Sequence, residues 1–105
     1  MTPPGKEALA EAIRNMHGAE ATWVEAVPVR EKHEGQAVWS GIVHVFDLTG
    51  HPKASRAYAW AEPVDEDSGR QRFFAVLHVP PVESAADAVR ASIVERYRRE
   101  GDGHA

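Results

Sequence analysis

The 105-residue sequence contains no cysteine, which excludes disulfide cross-links, thiolate catalysis and cysteine-built zinc sites. Long apolar runs are also missing. No segment approaches the roughly 18 to 20 apolar residues needed to cross a bilayer, and the opening stretch MTPPGKEALAEAIRNMHG lacks the apolar block of a secretory leader. The expectation is a cytoplasmic protein without membrane attachment. There is no basic excess either: 12 basic residues stand against 16 acidic ones, for a formal net charge of −4, so nothing draws the chain generally to phosphate backbones or anionic lipid. Nine of the twelve basic residues are arginine and alanine is abundant, which reads as the codon bias of a small bacterial-type protein.

Chemical signatures are equally scarce. The six histidines, at 17, 33, 44, 51, 78 and 104, show no H-x-x-x-H or H-E-x-x-H spacing, so no metal site is expected. Ser40, Ser55, Ser84 and Ser92 lack a nucleophile-elbow context, and the scattered glycines form no phosphate-binding loop. No catalytic residue and no cofactor is therefore assigned.

What is present is the pattern of one α+β domain spanning 1–105, with flexible ends at 1–5 and 101–105. From Lys6, the residues Leu9, Ala12, Ile13 and Met16 form one stripe of an amphipathic helix, and Gly18 is its stop. The stretch ATWVEAVPV, 21–29, reads as an edge strand because Pro28 cannot donate to a ladder. REKHEGQ, 30–36, reads as a charged loop. The long segment from Ala37 to Ala61 reads as a hairpin around Gly50-His51-Pro52, and the acidic stretch 62–69 as an exposed loop. QRFFAVLHV, 71–79, makes a fourth strand ended by Pro80-Pro81. Ser84 then caps a second helix, with Asp87 completing a capping box. That helix has a stripe of Ala86, Val89, Ile93 and Tyr97, and Glu95 can pair with Arg98 or Arg99. The expected fold is an α+β two-layer sandwich: a four-stranded antiparallel meander in the order α-β-β-β-β-α, with both helices on one face.

Register sorts the strands into two faces. A turn centred on Gly50-His51 sets Ile42 opposite Ala59, His44 opposite Ala57 and Phe46 opposite Ser55, so large side chains meet small ones. Val38, Ile42, Phe46, Ala57, Ala59, Phe73, Ala75, Leu77 and Val79 become the helix-covered core, with His44 a core imidazole. The other face carries Trp39, Val43, Val45, Tyr58, Trp60, Phe74 and Val76, with Trp60 lying over Gly41. Left in water, seven such residues would form a larger apolar patch than monomers usually carry. One helix per face, a second copy or a ligand could cover it. The reading adopted is a homodimer in which these seven residues are the interface, another protein being the alternative partner.

Beside that face the register gathers Asp47, Arg56, His78 and Tyr58. An Arg fork with a His could hold a carboxylate or phosphate, with Asp47 fixing the guanidinium. The plainer role is an ion pair near a sheet end. Aromatics on a sheet invite comparison with RNA-binding domains, but QRFFAVLHV lacks the basic-Gly lead of an RNP-like stretch, and the net acidity also speaks against nucleic acid. The expected function is a non-enzymatic interaction or structural module that self-associates through the aromatic face. The alternative is a small protein, or minor enzyme, that binds an anionic ligand through Arg56, His78, Asp47 and Tyr58.

Overall fold

Hydrophobic periodicity and turn chemistry produce the predicted elements in the predicted order. The computed structural model describes residues 4–65 and 67–102. Helix α1 spans Pro4–His17 and is followed by strands β1 (Glu20–His33), β2 (Gln36–Thr49), β3 (Arg56–Pro63) and β4 (Gln71–Leu77), then helix α2 (Ala85–Asp102). The strands form one antiparallel sheet in the order β1-β2-β3-β4, which leaves β1 and β4 as edges. Gly18 ends α1 in the left-handed region, φ +69°, with its N–H donating to the Arg14 carbonyl at 2.8 Å. At α2, the Asp87 N–H donates to Ser84 Oγ and the Glu83 N–H to Asp87 Oδ2, each at 3.1 Å, so the expected cap is formed. Of the ends expected to be flexible, Pro4 and Gly5 open α1 and Gly101 and Asp102 close α2; residues 1–3 and 103–105 lie outside the described residues. So do the side chains of Tyr97, Arg98 and Arg99. Among the described residues no helix is long and apolar enough to cross a membrane.

The first hairpin is longer than its composition suggests. Residues 30–33 and 36 continue the strands, and the turn is Glu34-Gly35, both at positive φ (52° and 82°). Two left-handed residues are the geometry whose twist matches the flanking strands. The charges that imitate a loop lie on an edge strand, where they suit solvent.

Between β2 and β3 the register lies two residues from the expected one: His44 faces Ala59 and Phe46 faces Ala57. A shift of two preserves the faces. The connection is longer than a tight turn because His51 Nδ1 accepts the N–H groups of Lys53 and Ala54, both at 3.0 Å, and folds the segment into a local loop.

The largest correction concerns the helices, which take opposite faces and make three layers rather than two. On one face α1 sets Leu9 and Ile13 against Phe46, Ala57 and Ala59. On the other, α2 sets Ala85, Ala88 and Val89 against Val43, Val45, Tyr58 and Trp60. Size complementarity explains the exchange: the alanine-rich stripe of α2 approaches a face of large side chains, and the larger residues of α1 fill the space above alanines. Val43 is 0% and Trp60 1% exposed, so the aromatic face is the chain's own core.

Candidate functional site

The four residues singled out beside the aromatic face do come together. Asp47 and Arg56 are direct cross-strand partners, with Arg56 Nε and Nη2 donating to Asp47 Oδ1 at 3.4 and 3.3 Å. The next residue of β3 on that face is Tyr58, whose hydroxyl shares a 2.6 Å hydrogen bond with His78 Nδ1. Burial raises the Tyr58 hydroxyl above its ordinary range; the Arg56 charge opposes this and Asp87 adds to it. The corner is thus built, but it is largely matched internally: Asp47 takes the Arg56 charge at an exposed position, and Tyr58 takes Nδ1 of His78. Among the described residues no group of three or more His, Asp or Glu side chains could hold a metal ion.

A second polar cluster lies at the far end of the same face, centred on Glu62. Its Oε2 accepts the indole N–H groups of Trp39 at 3.0 Å and Trp60 at 2.8 Å. Arg96 grips the same carboxylate through Nη1 and Nη2 at 3.1 and 2.5 Å and lies 4.6 Å from the centroid of Phe74. Phe74 stacks on Trp60 at 5.4 Å, and Trp39 meets Trp60 edge-on at 5.8 Å. Burial works to raise the Glu62 carboxyl, but the hydrogen bonds from Arg96, Trp60 and Trp39, with the guanidinium charge, outweigh it and hold the group below its ordinary value. Chemically the cluster is a latch: one carboxylate joins β2, β3 and the later turns of α2. Sequence reasoning placed Glu62 in an exposed loop. The signal that could have located the cluster was Glu62 standing two residues beyond Trp60, on the same side of β3.

The seven residues assigned to an interface are placed by this packing. Val43, Val45, Tyr58 and Trp60 are buried beneath α2, while Trp39, Phe74 and Val76 pack against them partly buried. Trp39 rather than Trp60 covers Gly41, where an added Cβ would stand 2.9 Å from Trp39 Cη2.

Val38, at the register shift where it lines a hollow with Arg90, Ile93 and Val94 of α2, and Ile42, on the α1 face, were both assigned to the core and both stay uncovered. They are 45% and 49% exposed. The register sets Pro28 beside Ile42 and Arg30 beside Ser40, giving an open strip on the outer half of the β1–β2 hairpin. Length explains it. The 14 residues of α1 span about 21 Å at about 1.5 Å each, whereas the 14 residues of β2 span about 46 Å. The helix docks over Phe46 and the alanines of β3 and cannot reach the hairpin tip. Nearer α1, Trp23 Nε1 donates to His44 Nδ1 at 3.0 Å and Lys6 Nζ lies 3.4 Å from the Trp23 ring centroid. Burial, then the Lys6 charge, lowers the His44 pKa. His44 is therefore only partly buried rather than a core imidazole, and its partner is an indole.

No protein-family model, no curated protein and no solved structure matches the chain.

Proposed function

We propose that the protein is a non-enzymatic interaction module that forms a homodimer through the uncovered strip of its β1–β2 hairpin. The observation that carries this is Ile42, an aliphatic side chain 49% exposed on an open strip that it shares with Pro28, Arg30 and Ser40. The strip suits a two-fold contact. With Ser40 near the axis, Ile42 and its cross-strand partner Pro28 in each copy meet those of the other, so apolar groups meet apolar groups and a small residue occupies the crossing. A two-stranded ribbon whose tip lacks cover on one face also gains most from a partner, because an isolated hairpin is at best marginally stable in water. The cytoplasmic address expected from the sequence belongs to this proposal. The Arg56 corner supports a ligand-binding role less well, since its charge is already matched by Asp47.

Light scattering across a concentration series tests the reading. The wild type is expected to reach twice the monomer mass, and Ile42→Asp to stay monomeric with an unchanged circular dichroism spectrum. A monomeric wild type at high micromolar concentration refutes it.

A further inference from the structure

We infer that the free edge of β4 is a docking groove for a single extended, acidic peptide segment, which adds a fifth strand to the sheet. This surface is separate from the hairpin strip, and the inference stands whether or not the chain dimerises.

Hydrogen-bond parity shows what the edge offers. The His78 N–H donates to the Arg56 carbonyl at 2.9 Å, and the Val64 N–H to the Arg70 carbonyl at 3.0 Å. Bonded and non-bonded couples alternate along an antiparallel pair. The bonded couples are therefore Tyr58 with Val76, Trp60 with Phe74 and Glu62 with Arg72. Phe73, Ala75 and Leu77 accordingly turn their backbone groups away from β3. Two of these carbonyls are engaged within the chain: His17 Nε2 donates to Ala75 O at 3.0 Å, and the Val79 N–H donates to Leu77 O at 2.9 Å. Among the described residues, both groups of Phe73 and the N–H groups of Ala75 and Leu77 meet no partner, which leaves them to an added strand.

The two sheet edges are built differently. β1 carries Pro28, register breaks at Trp23/Glu25 and Glu31/Lys32, and charges along its length, which are the devices that prevent strand addition. From Phe73 to Leu77, β4 has none of these. It forms the floor of a groove of about 560 Å³, walled by Met16 and His17 of α1 and by Ala91, Ser92 and Glu95 of α2.

Shape and charge select the occupant. A floor recessed between two helices admits one extended chain. Two copies cannot bring their own floors together, because their helical walls would meet first. Alternate side chains of the peptide would face Phe73 and Ala75 on the α1 side and Phe74 and Val76 on the α2 side, where Ala91 and Ser92 leave room for apolar groups. At one end stands Arg72, exposed and without an ion pair among the described residues; its cross-strand neighbour Glu62 is held by Arg96. Arg70 is exposed just beyond it. An acidic residue at that end of the peptide answers both.

The test is fluorescence polarisation with fluorescein-labelled peptides of alternating valine and threonine. They carry two aspartates at either terminus, with two lysines in the matched controls. The wild type is expected to bind one aspartate peptide at least about tenfold more tightly than its lysine control. Ala75→Pro removes only an outward N–H, so it should keep the fold and lose binding. Arg72→Glu, a surface change, should reverse the preference for charge and serves if Ala75→Pro fails to fold. His17→Ala frees the Ala75 carbonyl and should tighten binding by about threefold to tenfold, the factor one net hydrogen bond carries. No aspartate peptide bound at about 1 mM, or equal binding by folded Ala75→Pro, overturns the inference. So does a dimer that Ala75→Pro abolishes, since that would assign the groove to a second copy. A dimer lost only in Ile42→Asp bears on the hairpin strip alone.

Discussion

Replacing Glu62 by alanine should be the most damaging polar substitution in the chain. The change removes one carboxylate and strands three donors: the indoles of Trp39 and Trp60 and the Arg96 guanidinium. Leaving a buried donor without a partner costs about 1–3 kcal/mol, and breaking a buried ion pair costs about 3–5 kcal/mol. These contributions overlap because they end on the same group. They are also reduced by water, since the Arg96 side chain is 39% exposed and that of Glu62 22%. Arg96 Nε is already buried without a partner, so the guanidinium has few alternatives. The expected loss is about 3 kcal/mol, or about 2 M in urea midpoint at a slope of about 1.5 kcal/mol/M. Glu62→Gln keeps an oxygen for the indoles and loses the charge, so its cost is about half as large. Urea titration followed by the fluorescence of Trp39 and Trp60 and by circular dichroism reads both variants. A shift below about 0.5 M for Glu62→Ala would mean that the cluster is an ordinary surface ion pair, and the latch would have to be abandoned.

The same carboxylate sets a pH dependence. Its folded pKa lies below the ordinary value of 4.5, so its contribution is complete above pH 4.5 and is lost as the pH falls through the folded value. The stability gap between wild type and Glu62→Gln should therefore be constant from neutral pH down to about 5 and close in more acid solution; a gap that widens on acidification would have the wrong sign. Gly41→Ala should cost about 1–2 kcal/mol, because the added methyl meets the Trp39 ring and displaces it from Glu62; an unchanged urea midpoint would mean the ring moves freely. Glu34→Asn should raise the melting temperature by about 4 °C, since asparagine tolerates the left-handed backbone at φ 52° that costs glutamate energy, and a lower value would argue against the turn geometry.

Much of the fold was legible because local chemistry decided it. The stop at Gly18, the Ser84 cap and the period-two strands each follow from residues within a few positions of one another. The Asp47–Arg56 and Tyr58–His78 contacts were legible too, because a register error of two residues leaves every side chain on its own face. Non-local choices were not. Which face α2 takes depends on how its small residues fit Tyr58 and Trp60 across the sheet, and an alanine-rich stripe alone suits either face. The exposure of Ile42 depends on where a short helix lands along a long strand, a matter of lengths in space rather than of pattern. Glu62 was misread because its acidic neighbours in sequence are solvated, whereas its neighbours in space are two indoles and a guanidinium.

The two sides of the first hairpin have thus exchanged roles, the aromatic side being closed by the chain's own helix and the Ser40–Ile42 side left open, where a second copy is proposed to dock. Cross-linking at Ser40 tests this most directly. The chain has no cysteine, so Ser40→Cys carries a single thiol on the open strip, and packed sheets stand about 10 Å apart, within reach of a short bis-maleimide. The account predicts a covalent dimer that Ile42→Asp suppresses and that Ser68→Cys, in an exposed loop, does not form. Equal cross-linking at Ser40 and Ser68, or none at Ser40 in a protein shown to be dimeric, would contradict it.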